Sequence, residues 1–156
     1  MAELKARLQA DLTTAIKARE STRMAALRMA LAALTTEEVA GDVARELSDD
    51  EVQKVLTREV KKRKEAAEAF AGGGRAERAQ AELDESEVLT GYLPEQLTDD
   101  ELETIVAGAV AEVTTQLGEA PGQRQMGQVM KAANAKIAGR AEGGRVAASV
   151  RAKLQG

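Results

Sequence analysis

The sequence contains no cysteine and no histidine. The first absence excludes disulfides and thiolate metal sites. The second removes the commonest general base and the commonest transition-metal ligand. Tryptophan is missing too, and Phe70 and Tyr92 are the only aromatic residues. A core must therefore be built from Leu, Val, Ile, Met and close Ala contacts, and is expected to be thin. No apolar run approaches the roughly 18–20 residues of a membrane span, and the start MAELKARLQADL does not have the form of a signal peptide. A cytoplasmic protein without membrane contact is expected.

Alanine, in contrast, is abundant: 31 of 156 residues. It has the best intrinsic helix propensity, and few residues here favour strands, so an all-α fold is expected. The net charge of −4 hides a split. Between Glu95 and Ala120 stand seven acids and no base; between Pro121 and Gly156 stand seven bases and one acid, Glu142, so −7 is followed by +6. A second basic cluster lies at Arg58, Lys61, Lys62, Arg63 and Lys64. The overall balance argues against a general nucleic-acid coat, while the local fields do not.

Apolar spacing predicts seven helices. Leu4, Leu8, Leu12, Ala15 and Ile16 share a face over 3–18. Ser21 or Thr22 is suited to cap a second helix carrying Met24, Leu27, Leu31 and Leu34, which fades near Gly41. Ser48-Asp49-Asp50-Glu51 reads as a capping box opening a third helix with Val52, Val55, Leu56 and Val60, running to about Phe70. Gly72-Gly73-Gly74 breaks it, and a fourth helix follows from Arg75 to Thr90, with Leu83, Val88 and Leu89 as its main large apolar residues. Tyr92-Leu93-Pro94 ends that helix, because the residue before a proline leaves the α region. A boundary is expected there, giving an N-terminal module of about four helices, 1–94, and a compact three-helix C-terminal domain, 95–156. Thr98-Asp99-Asp100-Glu101 repeats the capping box before Leu102, Ile105, Val106, Ala109 and Val113. After a break at Gly118–Gly122, Met126, Val129, Met130, Ala133 and Ile137 form one face, with Arg124, Gln128 and Lys131 opposite. A tight link at Gly139–Gly143 precedes Val146, Val150 and Leu154.

Little of this can carry chemistry. No histidine stands by to activate Ser21, Ser48, Ser86 or Ser149, and the first two read as caps. The acid triplets at 49–51 and 99–101 suit the first turns of helices, where carboxylates oppose the macrodipole. No catalytic group, metal or cofactor is expected. The Gly139–Gly144 link, flanked by Arg140 and Arg145, fits an anion or an ordinary turn equally well. The run Lys54, Arg58, Lys61, Lys62, Lys64 reads as a solvated face with Glu59 and Glu65 as partners, or as a phosphate contact. No interleaved aromatics offer stacking platforms for single-strand recognition.

Five segments together resemble the YqeY-like family: Leu-Arg-Met-Ala-Leu (27–31), Glu-Val-Lys-Lys-Arg-Lys (59–64), Tyr-Leu-Pro-Glu-Gln-Leu (92–97), Met-Gly-Gln-Val-Met (126–130) and Gly-Arg-Ala-Glu-Gly (139–143). The C-terminal part of that family is similar to the tail of the GatB component of the glutamine-dependent aspartyl/glutamyl-tRNA amidotransferase. The resemblance implies an all-helical protein whose tail helps hold tRNA while chemistry occurs elsewhere; the carbon–nitrogen ligase label with glutamine as amido-nitrogen donor follows from the shared tail. Glu142 departs from the family's usual aspartate, a shorter acid better suited to capping.

The expected function is thus non-catalytic binding of tRNA or another structured RNA, as an accessory to tRNA-dependent amidation. Arg124, Lys131, Lys136, Arg140 and Arg145 are the expected phosphate contacts, with Arg58, Lys61 and Lys62 as a secondary basic patch. An amidotransferase or an aminoacyl-tRNA synthetase is the expected protein partner. The alternative is a helical protein–protein adaptor that touches no RNA.

Overall fold

A computed structural model describes residues 1–156. The fold is all-helical: α1 (Glu3–Ala18), α2 (Ser21–Glu38), α3 (Asp49–Gly72), α4 (Ala76–Thr90), α5 (Asp99–Leu117), a 3-10 turn (Gln123–Gln125), α6 (Met126–Ile137) and α7 (Gly143–Gln155). It divides into two compact units, Met1–Leu93 and Pro94–Gly156, with four helices in the first and three in the second.

In unit 1 the long helix α3 packs chiefly on α4, while α2 touches α1, α3 and α4. Its core comprises Leu8, Leu27, Leu34, Val52, Leu56 and Leu89, with Ala15, Ala26 and Ala30 where helices approach closely. Each fully buried Leu or Val contributes on the order of 1.5–3 kcal/mol. Ser48 opens α3 with a complete capping box, its hydroxyl accepting from the Glu51 amide while Glu51 accepts from the Ser48 amide. The helix runs two residues past Phe70, and the chain turns at Gly74, whose φ of 76° only glycine adopts without a Cβ clash.

Three local expectations are corrected. Ser21 is the first residue of α2, and Glu20 precedes it without a side-chain cap. The chain passes from α1 to α2 within two residues, through Arg19 at φ 58°, with its amide bonded to Ile16 and that of Glu20 to Ala15; this short turn puts Glu20, at φ −82° and ψ 88°, in the N-cap position. Ile16 is 44% exposed, because Ala15 takes the core-facing position beside it. Leu83 is also exposed, since the inward stripe of α4 runs through Ala79, Ser86 and Leu89.

Unit 2 packs α5 against α6 and α7. Leu97, Leu102, Val106, Ala109, Val113, Val129, Ala133, Ile137, Val146 and Val150 form a core without a polar side chain. Thr98 and Glu101 complete the second capping box. Arg124 lies in the 3-10 turn, not on α6 itself, and that turn packs against α7.

Candidate nucleic-acid interface

The acidic stretch and the basic tail of unit 2 are brought together by the packing of α5 on the other two helices. Lys136 pairs with Glu112 at 3.3 Å, Arg145 with Asp99 at 2.8 Å and Lys153 with Glu103 at 3.7 Å. Each acid comes from α5 and each base from α6 or α7. All six side chains are substantially exposed, so each pair is worth little in stability but cancels a charge locally. An open groove of about 670 Å³ between α5 and α7 carries Asp99 and Glu103 together with Arg145 and Lys153. Its charged side chains sum to zero, so it is not an anion trough.

Arg140 and Arg145 are also engaged with the backbone. Arg140 donates from Nε to the Ile137 carbonyl at 3.0 Å and from Nη2 to that of Lys136 at 2.9 Å, capping the C-terminus of α6. Arg145 donates from Nη2 to the Leu97 carbonyl at 3.0 Å. The amide of Gly144, at the N-terminus of α7, is taken by Glu142 at 2.9 Å, so the longer acid still caps. The anion position offered by the Gly139–Gly144 link thus holds the chain's own carboxylate.

Arg124, Lys131 and Arg151 remain. All three are exposed and none makes an ion pair or hydrogen bond. Gln128, in line with Arg124 and Lys131 on the outward face, bonds Gln116 of α5 at 3.2 Å. Arg151 is not among the phosphate contacts that the sequence leads one to expect, although its place off the Val146, Val150, Leu154 stripe marks it as outward-facing.

In unit 1 the run 58–64 divides sharply. Arg58 pairs with Glu37 at 3.0 Å and Lys62 with Glu59 at 3.5 Å, both cations exposed, as is Lys61. Arg63 is instead 4% exposed, set between Glu59 at 3.5 Å and Glu85 at 3.6 Å, with Nη2 on the Met29 sulfur. Burial, reinforced by Glu82 and opposed by Arg63 and Arg78, raises the pKa of Glu85. Nothing in the linear pattern separates Arg63 from its neighbours; only helical phase, one turn beyond Val60 and before Ala67, indicates it.

A second polar cluster holds the end of this unit. The Tyr92 hydroxyl donates to Asp11, Arg23 lies 3.4 Å from that hydroxyl, and the Arg7 guanidinium sits 4.8 Å from the ring centre. Burial first, then the bond to Asp11, pushes the Tyr92 pKa up to about 12. No three His, Cys, Asp or Glu side chains converge as metal ligands. No helix is long and apolar enough to cross a membrane.

The model of the family described as Yqey-like protein matches residues 5–154, almost the whole chain. The chain belongs to the YqeY-like family. No curated protein matches it. The match spans both units, so the buried cluster around Arg63 and the three unpaired cations of unit 2 all lie within the YqeY-like region.

Proposed function

We propose that this YqeY-like chain is a non-catalytic, cytoplasmic protein that binds tRNA or a similarly structured RNA through unit 2, as an accessory to tRNA-dependent amidation. One observation carries the reading: of seven bases in the tail, three are paired with α5 acids, one caps α6, and Arg124, Lys131 and Arg151 are left free. Unpaired, exposed cations that the fold does not need are what a phosphate backbone recruits. The resemblance of this region to the tail of the amidotransferase's GatB component supports tRNA as the polyanion. The remaining carbon–nitrogen ligase chemistry would then belong to a partner, an amidotransferase or an aminoacyl-tRNA synthetase.

Binding of tRNA measured across a salt series tests this. Each phosphate contact contributes roughly 0.7–0.9 to the log–log slope, so replacing Arg124, Lys131 and Arg151 by Ala one at a time should lower the slope stepwise. Absence of any tRNA complex at low salt sinks the reading. The adaptor alternative is favoured by Val39 and Val43, which are 58% and 78% exposed between α2 and α3. If that loop is a protein contact, Val39→Ser/Val43→Ser abolishes co-purification with an amidotransferase or synthetase and leaves tRNA binding unchanged.

A further inference from the structure

Two of the segments carrying the family resemblance meet inside unit 2. The Leu97 amide donates to the Arg140 carbonyl at 2.7 Å, and the Leu97 carbonyl accepts from Arg145 at 3.0 Å. Gln96 reaches both the Pro94 carbonyl at 2.9 Å and the Gly139 carbonyl at 3.5 Å. Both backbone groups of one connector residue are thereby satisfied by residues at the link between α6 and α7. Leu97 is also the only buried residue between Pro94 and Thr98, at 6% exposure.

We propose that Arg140 and Arg145 are positioning residues that lock the connector 94–98 onto unit 2. Arg140 is immobilised by two carbonyls at the end of α6, which places its own carbonyl under the Leu97 amide. Arg145 serves two acceptors from one nitrogen, the Leu97 carbonyl and Asp99 Oδ1. Asp99 is 96% exposed in its side chain, so the carbonyl arm supplies most of the hold. A planar guanidinium suits this double duty; a compact ammonium does not. With the lock closed, the connector has little backbone freedom left to lose when unit 2 takes up a ligand. The lock itself needs no RNA; only the salt-slope arm of its test rests on the RNA-binding reading.

Amide hydrogen exchange on the full chain is the direct test. In Arg145→Ala, exchange at Leu97 should accelerate about tenfold, the equivalent of losing one net hydrogen bond, while Val106 and Val150 keep their protection. Arg145→Lys should fall between, and Lys131→Ala should leave Leu97 unchanged. Unaltered Leu97 exchange in Arg145→Ala overturns the lock. If that variant loosens Val106 as well, Arg145→Lys decides: it keeps the charge and loses the guanidinium fork, so a few-fold acceleration confined to Leu97 supports the lock, and none overturns it. In the tRNA titration, Arg145→Ala should leave the salt slope unchanged; a fall of roughly 0.7–0.9 makes Arg145 a phosphate ligand and defeats the positioning assignment. Failure of the unaltered chain to bind tRNA breaks the RNA reading alone, and the exchange results still decide the lock.

Discussion

The two units differ in where they hold their ion pairs. Unit 1 has a charged cluster inside, Arg63 between Glu59 of α3 and Glu85 of α4, besides exposed pairs such as Arg58–Glu37. Unit 2 has an apolar core, with its ion pairs on the outside between α5 and the other two helices. Buried pairs carry a desolvation penalty and are costly to break, so those of unit 1 fix how α3 and α4 register. Exposed pairs break easily, so the surface of unit 2 is free to exchange partners. The proposed function rests on that exposed, exchangeable surface of unit 2, and the buried cluster of unit 1 is what its own packing depends on.

The contrast is sharpest at Arg63. Arg63→Met leaves Glu59 and Glu85 without their buried cation and should destabilise unit 1 by about 3–5 kcal/mol. Exchange at Leu56 should then rise steeply while Val106 in unit 2 is unaffected; equal loss in both units would break the comparison. Next in size is Tyr92→Phe, which removes a hydroxyl bonded to a carboxylate and should cost roughly 1.5–3 kcal/mol.

The same tyrosine gives a pH signature. Its pKa is raised from 10.0 to about 12 in the folded state, so the folded chain holds the proton more tightly. Its contribution is fully present below about pH 10 and is lost as pH rises toward 12. Denaturant midpoints of unit 1 should fall across that window, and Tyr92→Phe should remove this part of the fall.

The helix caps should behave alike in both units, because each box is local and exposed. Ser48→Ala and Thr98→Ala should each cost about 1 kcal/mol, read as faster exchange in the first turns of α3 and α5. Smallest of all, Lys136→Ala should change the stability of unit 2 by no more than about 1 kcal/mol, since its pair with Glu112 is half exposed. A larger loss would mean that unit 2 also depends on its ion pairs, and the division of labour would fail.

Much of the fold is legible in the residues. The two Ser/Thr-x-x-Glu boxes mark the starts of α3 and α5 because a capping box is a contact between residues three apart. The apolar stripes of α3, α5, α6 and α7 give their buried faces, because spacing of three and four is enough when one helix face meets one core. Spacing does less well at the margins, as Ile16 and Leu83 show: each is apolar, yet a smaller neighbour on the same helix holds the inward position.

The candidate site was legible in kind but not in membership. The tail's excess of positive charge is plain in the sequence. Its division into free and committed cations is not, because Glu112 and Lys136 are far apart in the chain, as are Asp99 and Arg145, and Glu103 and Lys153.

The sequence by itself determined an all-helical chain, the starts of α3 and α5, and its lack of histidine and cysteine. Those are properties of composition and of contacts within one helical turn. Only the tertiary structure decided that Arg63 is interior while Lys62 is not, that Arg140 and Arg145 hold carbonyls, and that Arg124, Lys131 and Arg151 stay unpaired. Such choices depend on which distant acid or carbonyl the packing of helices carries to within hydrogen-bonding or ion-pairing reach of each cation, and the local spacing of residues does not encode that.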